Sequence, residues 1–61
     1  MKTEQAKHTL ATLIVQAIER DRAGDVVGRQ QHLRTIEDLP LSDKYVRAEL
    51  DRVGLLGVYK G

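Results

Sequence analysis

Two histidines, His8 and His32, and nine aspartates and glutamates are the side chains with which this 61-residue chain could do acid–base or metal chemistry. Their arrangement does not favour it. Holding zinc through histidines on one helix takes two of them a turn apart, and His8 and His32 stand alone in different segments. Glu37 and Asp38 are the only adjacent acids, and neighbouring helix positions project about 100° apart, too divergent to share one proton or one ion. The absence of cysteine removes thiolate zinc sites, cysteine nucleophiles and disulfide staples together. There is no Gly-rich phosphate loop. Both histidines are expected to face solvent, His8 opposite Leu10 and Ile14, His32 away from Val26 and Leu33. The sequence therefore predicts no catalytic residue, no metal and no cofactor.

Composition bounds what remains. Leu, Ile and Val make up 17 of the 61 residues and hydrophobic residues 41%, too much for a chain that stays disordered. The length corresponds to one small domain over residues 1–61. Ten Lys and Arg against nine Asp and Glu leave a net charge of +1, so binding a polyanion would need a local patch. The longest apolar run, Leu13-Ile14-Val15, is far short of the roughly 20 residues of a membrane span or of a signal-peptide core. A cytoplasmic chain with no membrane partner is expected. Tyr45 and Tyr59 are the only aromatic residues, which excludes base-stacking platforms and leaves an aliphatic core.

The elements that would position these residues are helical. Thr3 is a capping type, Glu4 suits the positive end of a helix dipole, and Ala6, Leu10, Leu13, Ile14, Ala17 and Ile18 then follow along one stripe. Ala23-Gly24-Asp25 offers a left-handed glycine and a fresh cap, hence a tight hairpin. A second helix over residues 26–38 would present Val26, Leu33 and Ile36, with Gln30 and Glu37 near that stripe; Gly28 is an alternative start. Arg29 and Arg34 read as exposed surface. Pro40 breaks the helix and Ser42 caps a third, over residues 43–53, that buries Val46, Leu50 and Val53. After Gly54 the apolar tail of Leu55, Leu56, Val58 and Tyr59 either folds back as a lid or pairs as a strand with another chain. The predicted fold is all-α, a small three-helix bundle made of a helical hairpin and a third helix, with a short apolar C-terminal tail.

Leu39, Leu41, Ser42, Val46, Arg47, Leu50, Val53, Gly57 and Val58 have the spacing of a helix-turn-helix whose capped second helix runs into a winged segment. Residues 36–58 resemble the winged-helix regulators of bacteria, where the recognition helix often reads Ser, three variable residues and Val-Arg. The resemblance implies Ser42, Lys44 and Arg47 as groove and phosphate contacts. Ile36 and Pro40 depart from the small residue and the turn glycine of that pattern, and Asp43 and Asp51 lie near the side that would meet phosphate.

A different feature is an apolar surplus. Ala11, Val15 and Ile18 form a second strip on the first helix, roughly 100° round from Leu10, and Leu55, Leu56, Val58 and Tyr59 add a second patch. Surfaces of this kind dock on protein, and a symmetric dimer is a common remedy for a small core. The expected function is a non-enzymatic protein–protein interaction module, an adaptor, inhibitor or regulatory subunit, that binds a partner protein or a second copy. A helix-turn-helix DNA-binding regulator is the alternative.

Overall fold

Three helices and one short 3-10 turn follow one another in the computed structural model, which describes residues 2–60: α1 spans Thr3–Arg22, α2 Val26–Glu37, α3 Asp43–Arg52 and the turn Leu56–Val58. No strand occurs among the described residues. The all-α bundle expected from the sequence is the fold of the chain.

Each helix ends where its local chemistry makes it end. The α1 C-terminus closes in a Schellman motif: the Gly24 N–H donates to the Asp21 carbonyl at 3.1 Å and the Asp25 N–H to that of Arg20 at 2.9 Å. Gly24 takes φ +76° to make this reversal, a conformation that only glycine adopts cheaply. Asp25 at once caps α2, its Oδ1 accepting from the Gly28 N–H at 2.9 Å. Ser42 caps α3 through the Tyr45 N–H at 3.2 Å. A second Schellman motif at Gly54, φ +77°, directs the Leu55 N–H to the Leu50 carbonyl at 2.9 Å.

These turns bring together one core, aliphatic except for Tyr59, where the sequence led to the expectation of an aliphatic one. Leu10, Ile14 and Ala17 of α1 meet Leu33 and Ile36 of α2, Val46 and Leu50 of α3, and Leu55 and Tyr59 of the tail. Leu10, Leu33, Ile36 and Leu50 are fully buried, each contributing about 1.5–3 kcal/mol relative to an exposed side chain. The tail is a lid: it packs on the bundle's own core, as the simpler of its two readings expected.

Several boundaries and faces differ from expectation. Lys2, not Thr3, is the α1 cap, its carbonyl accepting the Ala6 N–H at 2.9 Å, and Thr3 is already helical. The second helix starts at Val26 rather than Gly28. Val26, expected on the inner face, is 55% exposed. The Arg29 side chain, expected on the surface, is 15% exposed and donates to Asp21 Oδ1 of α1 at 2.6 Å. Val53 is exposed at the C-cap of α3, since the Gly54 reversal sends Leu55 into the core in its place.

Candidate interaction surface

The outer face of α1 is built by helical periodicity alone. With Ala6, Leu10, Ile14 and Ala17 inward, the residues Glu4, His8, Ala11, Val15, Ile18 and Arg22 fall on a second line, at steps alternating between four and three. Ala11 is exposed, Val15 is 54% exposed and Ile18 is half-buried where it leans on the core. A 20-residue helix is about 30 Å long, and the molecule measures 32 × 17 × 16 Å, so this line runs the length of the protein. Glu4 and Arg22 stand at its two ends, and neither is in an ion pair among the described residues.

Two of the four residues expected to form a second docking patch in the tail face inward instead. Leu55 and Tyr59 are buried in the core, so they hold the bundle together and are closed to a partner. Leu56 and Val58 are half-buried against the same core. A polar chain fastens this segment down: Arg29 Nε donates to Gln30 Oε1 at 2.9 Å, and Gln30 Nε2 donates to the Val58 carbonyl at 3.0 Å. Together with the Arg29 to Asp21 bond it links α1, α2 and the tail. Sequence reading placed Gln30 near the inner stripe but missed the role of Arg29, whose only signal is its position four residues before Leu33.

Of the three residues expected to contact DNA along the start of α3, Ser42 and Arg47 have other engagements. The Ser42 hydroxyl serves as the helix cap. Arg47 Nε donates to Asp43 Oδ2 at 2.6 Å, and its guanidinium lies 5.7 Å from the centre of the Tyr59 ring. Lys60 Nζ reaches the other Asp43 oxygen at 3.2 Å. The hydrogen bond from Arg47, then that from Lys60, holds the Asp43 carboxyl below its ordinary 3.8. Lys44 is exposed with no ion pair among the described residues.

The two histidines line separate shallow clefts. His8 is exposed beside Glu4, Gln5 and Thr9, whereas His32 is half-buried, not fully solvent-facing, beside Gln16, Glu19 and Arg20. Among the described residues no three His, Asp or Glu side chains gather as a metal site would need. No helix among them is long and apolar enough to cross a membrane. The sequence matches no protein-family model, and neither the curated proteins nor the solved structures contain a match to it.

Proposed function

We propose that this chain is a small non-enzymatic interaction module that works in the cytoplasm by docking the outer strip of α1 on a protein partner, as an adaptor, inhibitor or regulatory subunit does. The observation that carries this reading is Val15. It stands 54% exposed between Ala11 and Ile18 on a helix whose inner face already has its full core. An aliphatic line framed by polar residues suits the centre of a protein interface, where apolar anchors are shielded by a polar rim.

The DNA-binding alternative draws on Lys44 and on the capped start of α3. Against it, the Asp43 carboxylate already pairs with both Arg47 and Lys60, and phosphate would have to displace it from them.

Capture from host lysate with the wild-type chain, Val15→Glu and Arg47→Ala, each with and without nuclease, separates the two. The protein-docking reading expects Val15→Glu to lose its partner, Arg47→Ala to keep it and nuclease to change nothing. Loss on nuclease treatment or in Arg47→Ala, with Val15→Glu unaffected, would overturn it in favour of DNA.

A further inference from the structure

We infer that the occupant of the outer strip is a second copy of this chain, with α1 lying antiparallel on α1 about a two-fold axis beside residue 13. This rests on the strip being a docking surface and adds its partner and register. Glu4, His8, Ala11, Val15, Ile18 and Arg22 alternate by four and three, the spacing of a seam between two paired helices. The alternation is symmetric about its middle. A reversed copy therefore sets Ala11 against the partner's Val15, His8 against the partner's Ile18 and Glu4 against the partner's Arg22, each pair occurring twice as a two-fold interface requires.

Charge selects this orientation. Glu4 and Arg22 are exposed and outside any ion pair among the described residues, and the antiparallel seam gives each an opposite charge at both ends. A parallel copy in register would face Glu4 with the partner's Glu4 and Arg22 with the partner's Arg22, which is repulsive. Size points the same way, because the small Ala11 opposite a valine lets the axes approach to the near end of the 8–10 Å range. A seam one helix wide and about 27 Å long buries less than the roughly 1,200 Å² of a standard stable interface. The dimer is accordingly weak and forms as concentration rises.

The full-length chain tests this directly, and its lack of cysteine makes thiol trapping clean. Ala11→Cys and Val15→Cys chains, mixed and oxidised, should form the mixed disulfide in preference to either homodisulfide. In sedimentation equilibrium Glu4→Arg and Arg22→Glu should each weaken association roughly tenfold, and the combined variant should restore it. A chain that stays monomeric to about 1 mM overturns the inference while leaving docking on a different protein intact. Homodisulfides in excess, or single charge swaps without effect, overturn the antiparallel register. Association that survives Val15→Glu places the contact between copies off the strip and overturns the inference, again leaving docking of the strip on a different protein intact; the thiol readout does not depend on the helix-end charges.

Discussion

Gln30 and Val58, 28 residues apart, are joined by a 3.0 Å hydrogen bond from the Gln30 amide to the Val58 carbonyl. The bond ties the tail to α2 and turns an apolar appendage into part of the core. A domain of this size rarely has more than about 3–5 kcal/mol in reserve, so one such tie is a sizeable share. Gln30→Ala should cost about 1 kcal/mol and lower the melting temperature by about 5 °C. Tyr59→Ala, which empties a buried site, should cost about 3 kcal/mol, and deletion of residues 57–61 should cost at least as much. Thermal melts followed by circular dichroism check all three; a truncated chain as stable as the whole would show the lid to be dispensable.

The start of α2 sets two local preferences against each other. A Cβ at Gly28 would run into the Asp25 carboxylate that caps the same helix. Glycine in a helix costs about 1 kcal/mol relative to alanine, yet Gly28→Ala should give no gain while Asp25 holds its place. In an Asp25→Ala background the same change should stabilise the chain by up to about 1 kcal/mol. A double-mutant cycle measures the coupling, and simple additivity would refute it.

How much of this could be read from residues alone depended on whether one helix or several decided the outcome. The α1 inner stripe, both glycine reversals and the Ser42 cap follow from residues close in sequence, and they stand as expected. Val26 is exposed where the inner stripe was expected to begin, and Arg29 is half-buried because it has a cross-helix partner, Asp21, which the local pattern does not reveal. Leu55 replaced Val53 as the last anchor because the Gly54 turn re-aims the chain, a matter of geometry that periodicity does not carry. The α1 strip was legible as surplus apolar surface, but that Leu55 and Tyr59 belong to the core and not to a docking patch depended on how the tail folds back.

Acid and alkali should each weaken the contact that the end of the tail makes with α3. Asp43 is held below 3.8 by Arg47 and Lys60, so its contribution to stability is present above its ordinary pKa and is lost as pH falls through the lowered value. Asp43→Asn should flatten the acid limb of a stability–pH curve. Burial, ahead of all charge effects, raises Tyr59 above 10.0, so its contribution is present below that value and is lost as pH rises through the raised one. Tyr59→Phe should remove that alkaline loss. Urea titrations across the pH range give both limbs; unchanged limbs in the variants would contradict the assignments.

Self-association should also show in thermal melting. The midpoint for the wild-type chain should rise with protein concentration, as mass action requires when only the folded state dimerises, and Val15→Glu should abolish that rise with its helix content intact. Arg47→Ala should leave the concentration dependence in place. A wild-type midpoint constant over a hundredfold range of concentration would exclude the dimer.

That the outer strip of α1 is the surface on which two copies dock is tested most directly by nitrogen–proton NMR spectra of the wild-type chain, recorded on dilution from about 1 mM to about 20 µM. Amide shifts should move at Glu4, His8, Ala11, Val15, Ile18 and Arg22 while Ser42, Lys44 and Arg47 stay still, and Val15→Glu should abolish the movement. Spectra unchanged across the range, with Lys44 and Arg47 shifting on addition of a DNA duplex, would contradict it.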